Sequence, residues 1–175
     1  MYAYSDFKNS SQNRELFLFS IFSYYGTYDY INAGISIIRA QQEHIDGIIT
    51  LRAWESNLKP LPDGYTEYVQ EFYTAWVQDI MVGCIRVFPP SSYPETIELG
   101  SFVIAKYTRW YGISCPLIHF VEDVAKYVGK ILISVTDNPK LEAKYQKLGW
   151  TRAHEQYPKR AIESPMKRLW VKKPT

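Results

Sequence analysis

Apolar residues at helical spacing predict the helices of this chain. One early group would share a single helix face and consists of Ile45, Ile48, Ile49 and Ala53. Gly112 precedes a longer group with the same period, made of Ile113, Leu117, Val121, Val124 and Val128. Pro139 suits the first position of another helix, which we expect to run to Leu148 and to end at Gly149.

Shorter β-type runs separate these helices. The predicted strands are Gly34–Arg39, Phe72–Gln78, Ile80–Phe88, Ile97–Ala105, Lys130–Val135, a segment that starts at Trp150, and Met166–Lys172. A turn at Gln78-Asp79 would join two of them into a hairpin. A mixed α/β (α+β) sheet with helices on both faces is the economical fold for this order of elements.

The composition indicates a globular protein with its own core. The chain has 175 residues, of which 46% are apolar and 22% are charged. These values suit one ordinary domain and exclude overall disorder. Lys and Arg number 20 against 18 Asp and Glu, so the formal net charge is only +2. This balance argues against nucleic acid as the main partner.

The cysteines and histidines predict neither a disulfide framework nor a metal site. The chain contains two cysteines, Cys84 and Cys115, and its three histidines, His44, His119 and His154, are scattered along the sequence. We therefore expect no bound metal and a reducing, cytoplasmic location.

Residues 1–34 differ in composition from the rest, so we divide the chain into an aromatic N-terminal extension, 1–34, and a domain, 35–175. Leu16–Tyr25 reads LFLFSIFSYY, which is as long as a signal-peptide core but too short to span a bilayer. Acidic as well as basic residues precede it and no A-x-A-like cleavage site follows, so we expect neither a processed signal nor membrane insertion. These aromatics are expected to pack on the domain or on a second subunit, as in a homodimer. Another interpretation makes them a helix that docks on a partner.

The most informative run is Glu98–Ser114, ELGSFVIAKYTRWYGIS. A predicted strand ends here, and a short loop with Arg109 leads to Gly112 and Ser114 at the start of a helix. Backbone N–H groups and the helix dipole at such a start favour phosphate. Gly112 would let a ligand approach the backbone closely, and Arg109 adds a positive charge. The run therefore predicts a phosphate-binding loop.

The motif Arg109-x-x-Gly112-x-Ser114 resembles the Q/R-x-x-G-x-G/A motif of the GNAT superfamily of acetyl-CoA-dependent N-acetyltransferases. Residues 102–109 resemble the family's fourth strand and the start of its pyrophosphate loop. The run YQKLGW at 145–150, preceded by Asp-Asn-Pro at 137–139, is similar to the family's Y-x-K-L-G-F signature. The resemblance extends from about Ile35 to the C-terminus. It implies a mixed, mostly antiparallel central sheet flanked by helices on both faces.

This resemblance also implies where acetyl-CoA would bind. The backbone of Phe102, Val103 and Ile104 would follow the pantetheine arm, and an N–H near Ile104 would polarise the thioester carbonyl. Asn138 would contact the pantetheine side or a bridging water. The residues that would hold the pyrophosphate are Arg109, Trp110, Tyr111, Gly112, Ile113 and Ser114.

Catalysis would fall to Glu98 and Tyr145 by the same resemblance. Glu98 would be the general base, directly or through a water. Tyr145 would contact the cofactor and protonate the departing thiolate of CoA. The residues themselves leave simpler roles open: Tyr145 as a packing tyrosine, Glu98 as a solvated strand residue, and Asn138 as the cap of the helix that begins at Pro139.

The acceptor is the least specified part of the predicted reaction. Leu58–Phe102 also resembles short stand-alone N-acetylglutamate synthases, notably in V-G-C and E-L-G-S-F-V. We therefore expect acetyl transfer to a primary amine of an amino acid or other small molecule, by direct attack in a ternary complex. Peptide N-termini and protein lysines remain open. Trp110 and Ser114 depart from the small residues of the family motif, so an alternative is a degenerate GNAT-fold protein that acts as a CoA-binding or protein-interaction module without catalysis.

Overall fold

The computed structural model describes residues 28–30, 34–54, 65–89, 95–153 and 168–174. Its helices are α1 (Ile45–Ala53), α2 (Ser114–Tyr127) and α3 (Pro139–Lys147), and its 3-10 helices are Gln42–His44, Tyr65–Glu71 and Lys106–Tyr111. Its strands are β1 (Tyr28–Tyr30), β2 (Ile35–Arg39), β3 (Phe72–Val77), β4 (Ile80–Phe88), β5 (Thr96–Ile104), β6 (Ile131–Thr136), β7 (Thr151–Arg152) and β8 (Arg168–Lys172). The predicted apolar segment Leu16–Tyr25 lies outside the described residues.

The chain divides into two compact units. The described residues of the N-terminal unit fall within 28–88 and 100–121, and those of the C-terminal unit within 89–99 and 122–174. Strand β5 and helix α2 each contribute residues to both units. Strand β1 lies inside the predicted extension and pairs with β2. The domain boundary after residue 34 stays a prediction.

An antiparallel sheet of β1 to β4 forms the framework of the N-terminal unit. Ile37 of β2 is paired with Tyr28 on one side and with Ala75 on the other. Strands β3 and β4 form the predicted hairpin, whose turn contains Gln78 with a φ of 54°. The register of this hairpin shifts at a bulge between Ala75 and Trp76, and such a bulge increases the local twist.

Helix α1 covers one face of this sheet. It contributes Ile48 and Leu51 to a buried cluster that also contains Ala40, Val69, Phe72, Cys84, Val103 and Ala105. The predicted helix face was partly wrong, because Ile49 is 47% exposed and Ala53 is exposed as well. Leu51 lies on the buried face instead, since it follows Ile48 by three positions and residues at that spacing are neighbours on a helix.

The N-terminal half of α2 covers the opposite face. Phe72 lies in the cluster that α1 covers, and the next residue of β3, Tyr73, lies on the other face of the sheet. The centroids of the Tyr73 ring and the Phe120 ring of α2 are 4.8 Å apart. Gly83 of β4 lies under the same helix, where an added β-carbon would stand 3.1 Å from Leu117 Cδ1. The same β-carbon would stand 2.8 Å from Ile104 Cδ1, so a larger residue at Gly83 would require the Ile104 and Leu117 side chains to shift. Within this unit, helices lie on both faces, as predicted.

The C-terminal unit is built around β6. The first half of β5 pairs with it in parallel, from Thr96 opposite Ile131 to Leu99 opposite Ser134. Strand β8 is antiparallel to β6, and β7 is antiparallel to β8. Antiparallel ladders outnumber parallel ones among the described strands. The predicted mixed, mostly antiparallel sheet with helices is therefore confirmed.

The helices predicted after Gly112 and from Pro139 are both present. Helix α3 begins at Pro139 and ends before Leu148. Gly149 follows with a φ of 75°, the left-handed conformation that commonly ends a helix. None of the helices in the described ranges combines the length and the apolar character needed to cross a bilayer.

Candidate functional site

The segment between β5 and α2 contains the candidate phosphate loop. The sequence predicted a short irregular loop, whereas the structure places a 3-10 helix, Lys106–Tyr111, after β5. Thr108 stabilises its start, because its backbone N–H and its hydroxyl both donate to the Ala105 carbonyl, at 3.0 and 2.9 Å. The Ala105 N–H in turn donates to the Val82 carbonyl of β4 at 2.8 Å. The segment is thus attached to the sheet of the N-terminal unit.

Gly112 sets the direction in which the chain enters α2. Its φ of 72° lies in the left-handed region, where a residue with a side chain is strained. An added β-carbon would meet no other heavy atom within 4 Å, so this glycine is required by the backbone and not by a tight contact. The Cys115 N–H donates to the Gly112 carbonyl at 3.1 Å, which begins the first turn of α2. Open space beside a helix start suits a phosphate that approaches the backbone.

Arg109 is exposed on the 3-10 helix before Gly112. Its Nε donates to the Ile104 carbonyl at 3.4 Å, which connects the guanidinium to the end of β5. Ser114, the last residue of the motif, is half-buried at the first position of α2. The predicted contacts of Trp110 and Tyr111 involve side chains outside the described part of the chain. The motif therefore provides a cation three positions before Gly112, with its Nε bonded to the end of β5.

The residues predicted to follow the pantetheine arm form the end of β5. Val103 and Ile104 are 2% and 9% exposed, and Phe102 is half-buried. The side chains of Val103 and Ile104 belong to the core of the N-terminal unit. Their burial leaves the backbone as the part of these two residues that could bind a ligand.

Ser101 is an irregularity of β5 that the sequence analysis missed. Its φ of 49° is left-handed, which is costly for a residue with a side chain. It comes two positions after Leu99, where the parallel ladder with β6 ends. The Cys84 thiol donates to the Ser101 carbonyl at 4.0 Å. The preceding Gly100 was the available signal, because a glycine inside a strand often marks a bulge.

Tyr145, the predicted general acid, is completely buried in the C-terminal unit. Its Oη donates to Ser134 Oγ at 2.9 Å, and Ser134 Oγ donates to the Leu99 carbonyl at 3.2 Å. Burial raises the pKa of Tyr145 well above that of an ordinary phenol, and the hydrogen bond with Ser134 opposes this shift only in part. The Trp150 ring stacks on the phenol ring at 4.4 Å. No motif had indicated Ser134, because only the folded chain brings it to Tyr145.

Glu98 and Asn138 also belong to the C-terminal unit. Glu98 is half-buried on β5, opposite Ile133 of β6. Asn138 caps α3, since its Oδ1 accepts the N–H groups of Lys140 and Leu141 at 3.0 and 3.4 Å. The capping role that the sequence left open is thus confirmed. A ligand contact of Asn138 stays a prediction.

The candidate residues therefore form two groups, one in each unit. Residues 102–104, predicted to follow the pantetheine arm, and residues 109–114, predicted to hold the pyrophosphate, belong to the N-terminal unit. Glu98, Asn138 and Tyr145 belong to the C-terminal unit, and of these three the carboxyl of Glu98 and the phenol of Tyr145 can exchange a proton. Across the described ranges, no three or more His, Cys, Asp and Glu side chains are grouped so that they could hold a metal ion.

Comparison with known sequences identifies a family. Residues 39–168 match the family model described as an acetyltransferase (GNAT) domain. That match covers most of the chain and includes both candidate groups. No curated protein gives a significant match.

Solved structures of acetyltransferases share the fold. N-acetylglutamate synthase from Neisseria gonorrhoeae, complexed with coenzyme A and L-arginine, superimposes with a TM-score of 0.70 at 17% identity, over 81% of this chain and 33% of that chain. The chain thus spans about a third of the length of that synthase. Diaminobutyrate acetyltransferase EctA from Paenibacillus lautus, in complex with L-2,4-diaminobutyric acid and coenzyme A, gives 0.61 at 16% identity, over 80% of this chain and 95% of that chain. Naa50 from Arabidopsis thaliana, in complex with the bisubstrate analogue CoA-Ac-MVNAL, gives 0.60 at 18% identity, over 79% and 97%. At these identities the similarity establishes the fold alone.

Proposed function

The chain belongs to the GNAT acetyltransferase family, and from that premise we propose that it transfers an acetyl group from acetyl-CoA to a primary amine. The acceptor is an amino acid or another small molecule, and its amine attacks directly in a ternary complex. The observation that carries the proposal is the left-handed Gly112, with open space beside it, between Arg109 and the start of α2. The family resemblance assigns the pyrophosphate of CoA to this turn.

Cofactor binding would rest on the N-terminal unit. Helix α2 has 14 residues, and its start offers backbone N–H groups and the positive end of the helix dipole to the pyrophosphate. Arg109 supports the same assignment, because it is an exposed cation three positions before Gly112. The backbone of residues 102–104 would run along the pantetheine arm, since two of the three side chains are buried in the core.

Acetyl transfer would use Glu98, Tyr145 and the backbone near Ile104. The nitrogen of the acceptor amine forms a bond to the thioester carbonyl carbon, while Glu98 takes a proton from that nitrogen. The N–H near Ile104 donates to the carbonyl oxygen, which becomes negative as that bond forms. The C–S bond then breaks, and Tyr145 gives its phenolic proton to the thiolate. The phenolate then regains a proton and Glu98 gives up the one that it took, so the products are the N-acetyl amine and CoA with both side chains restored.

Solved structures with the same fold support a small molecule with a primary amine as the acceptor. The EctA structure contains L-2,4-diaminobutyric acid, and a second N-acetylglutamate synthase structure contains coenzyme A with N-acetyl-glutamate. The likeness of Leu58–Phe102 to stand-alone N-acetylglutamate synthases points to the same class. An amino acid is therefore the first acceptor to test. The Naa50 complex with CoA-Ac-MVNAL makes short peptides the second.

The proposed activity belongs to residues 35–175. Residues 1–34 would be an extension that packs on this domain or on a second copy of the chain. We place the reaction in the cytoplasm, because the two cysteines form no disulfide pattern in the sequence. Neither a metal nor a nucleic acid nor a membrane enters the proposed reaction.

A second candidate function is a GNAT-fold module that binds CoA or another protein without catalysis. The burial of Tyr145 favours it, because the phenol is 0% exposed and its Oη donates to Ser134. The bulky Trp110 and the hydroxyl of Ser114, in place of small motif residues, point the same way.

Isothermal titration with acetyl-CoA tests the proposal, with Tyr145→Phe and Gly112→Trp measured beside the wild type. We expect binding by the wild type and by Tyr145→Phe, and none by Gly112→Trp, whose indole would fill the open space at the turn. Circular dichroism checks that both variants are folded. No binding by the wild type would overturn the proposed reaction.

A screen of amino acids, small amines and short peptides then identifies the acceptor. Tyr145→Phe should acetylate it on the order of 100-fold more slowly than the wild type, since general acid catalysis contributes factors of about that size. Tight binding of acetyl-CoA without acetylation of any amine would favour the non-catalytic module.

A further inference from the structure

We propose that Ser134 is a positioning residue of the acetyl transfer: it holds the hydroxyl of Tyr145 and stabilises the phenolate that forms when Tyr145 gives up its proton. The inference rests on the proposed function, in which Tyr145 protonates the departing thiolate. Ser134 itself acts through Tyr145 and has no assigned contact with either substrate.

The geometry is a short series of hydrogen bonds inside the C-terminal unit. Tyr145 Oη donates to Ser134 Oγ at 2.9 Å, and Ser134 Oγ donates to the Leu99 carbonyl at 3.2 Å. Tyr145 is 0% exposed and Ser134 is 2% exposed, so both hydroxyls are shielded from bulk water. Leu99 and Ser134 are the last partners of the parallel ladder between β5 and β6. The series therefore ends on a carbonyl whose position is set by two paired strands.

A serine suits this place because its hydroxyl both accepts and donates a hydrogen bond. In the structure it accepts from the phenol and donates to the Leu99 carbonyl. After proton transfer the phenolate has no hydrogen left to donate and becomes a stronger acceptor. The Ser134 hydroxyl can then rotate from the Leu99 carbonyl to the phenolate oxygen, at the cost of one neutral hydrogen bond and with the gain of a charge-assisted one.

The burial of Tyr145 makes a hydrogen bond from Ser134 to the phenolate necessary. A phenolate in an apolar interior is disfavoured, because charge is poorly solvated there. Aromatic rings surround the phenol: the Trp150 ring stacks on it at 4.4 Å and the Trp170 ring lies at 6.0 Å. These rings hold the side chain in place. The Ser134 hydroxyl contacts the reacting oxygen itself, so it can stabilise the charge that develops there.

Ser134 neither gains nor loses a proton during the reaction. The phenolic proton goes to the thiolate sulfur, which becomes the thiol of CoA. Ser134 keeps its own proton and only changes the acceptor to which it points. When the phenolate has regained a proton and Glu98 has given one up, Tyr145 donates to Ser134 again, and Ser134 returns to the Leu99 carbonyl.

The test compares Ser134→Ala and Ser134→Thr with the wild type, using the amine selected by the screen. We expect Ser134→Ala to lower kcat by about 10- to 100-fold, because hydrogen bonds to charged groups are among the stronger ones. KM for acetyl-CoA should change by less than about twofold, because Ser134 contacts no cofactor group; a tenfold change would be about 1.4 kcal/mol. Ser134→Thr keeps the hydroxyl and should recover most of kcat. If Ser134→Ala does not fold, Ser134→Cys replaces it in the test. Cysteine is close to serine in size but its thiol is a weaker hydrogen-bond donor, so the same loss of kcat is expected.

Thr74→Val is the matched control. Thr74 is also a completely buried strand hydroxyl, which donates to the Ile38 carbonyl and accepts from Trp76 Nε1. This variant should lose thermal stability while kcat stays at the wild-type value. A kcat loss as large as that of Ser134→Ala would overturn the inference, because any buried hydroxyl would then have the same effect.

A double-mutant cycle separates action through Tyr145 from a general structural effect. In a Tyr145→Phe background, Ser134→Ala should no longer lower kcat. An undiminished loss in that background would overturn the inference, and so would wild-type kcat in Ser134→Ala. Both results leave the acetyltransferase proposal standing, whereas a wild type that acetylates no amine overturns the proposed function together with this inference.

Discussion

The ring of Trp150 lies stacked on the ring of Tyr145, with centroids 4.4 Å apart and planes inclined by 18°. The Trp150 backbone N–H donates to the Tyr145 carbonyl at 2.9 Å, and its indole N–H donates to Glu122 Oε1 at 2.6 Å. Trp150, the last residue of the YQKLGW signature, thus holds Tyr145, its first residue, in place. The two aromatic residues at the ends of this run therefore pack against each other.

Replacing Trp150 with alanine should lower the free energy of unfolding by about 3–5 kcal/mol, because a buried indole and its packing are lost. Trp150 is 3% exposed, so the change would leave a cavity beside Tyr145. Trp150→Phe keeps a ring on Tyr145 and removes the bond to Glu122, and it should cost less than the alanine variant. Urea denaturation measures both. Equal stability of Trp150→Ala and the wild type would show that the stacking contributes nothing.

Gly112 and Gly129 allow backbone strain to be separated from ligand binding. Both have left-handed φ values, 72° and 65°, and an added β-carbon would meet nothing within 4 Å at either position. Alanine at either site should therefore cost a similar amount of stability, roughly 1–2 kcal/mol. Only Gly112→Ala should also weaken acetyl-CoA binding, by about tenfold, or about 1.4 kcal/mol.

Isothermal titration and thermal melting of these two alanine variants provide the measurement. Gly129→Ala is the control, because Gly129 lies at the end of α2, away from the start at which phosphate is proposed to bind. Equal weakening of acetyl-CoA binding in both variants would assign the effect to lost stability and remove Gly112 from the cofactor site.

Glu98→Gln should lower kcat by about 100-fold or more while acetyl-CoA binding changes little, since the amide cannot take a proton from the amine. Both proteins are measured over a range of pH, because the acceptor amine must itself lose a proton before it attacks. Glu95→Gln is the control, because Glu95 is an exposed residue just before the same strand. A Glu98→Gln profile that coincides with the wild type at every pH would exclude Glu98 from the mechanism.

Cys84 should make stability depend on alkaline pH. Burial raises the pKa of the Cys84 thiol from 9.0 to about 12, against the smaller opposing effect of the Arg52 charge. Between these values the unfolded chain has lost the thiol proton while the folded chain keeps it, so unfolding is favoured as pH rises. The contribution is complete below pH 9.0 and is lost towards pH 12.

The slope from this one group should be about 1.4 kcal/mol per pH unit. Urea denaturation from about pH 8 to about pH 11 would measure it, with Cys84→Ala as the comparison because that variant has no thiol to titrate. Parallel pH profiles of the two proteins would show that the thiol ionises as easily in the folded state as in the unfolded one.

Prediction from the sequence succeeded where the signal was local. The period from Ile113 to Val128 and the pair Pro139 and Gly149 led to α2 and α3, because helix faces and helix ends depend on residues a few positions apart. Prediction failed for the exposed Ile49, because short α1 has apolar residues on more than one side and only packing selects the buried one.

The candidate site divides in the same way. The family, the segment with Arg109 and Gly112, and the signature that ends in Trp150 could be recognised in the sequence, because motifs are runs of neighbouring residues. The left-handed conformation of Ser101 and the hydrogen bond between Tyr145 and Ser134 could be seen only in the folded chain. Ser134 is 11 residues from Tyr145 and 35 from Leu99. Such bonds arise when strand pairing and helix packing place distant residues side by side, and no local pattern records that placement.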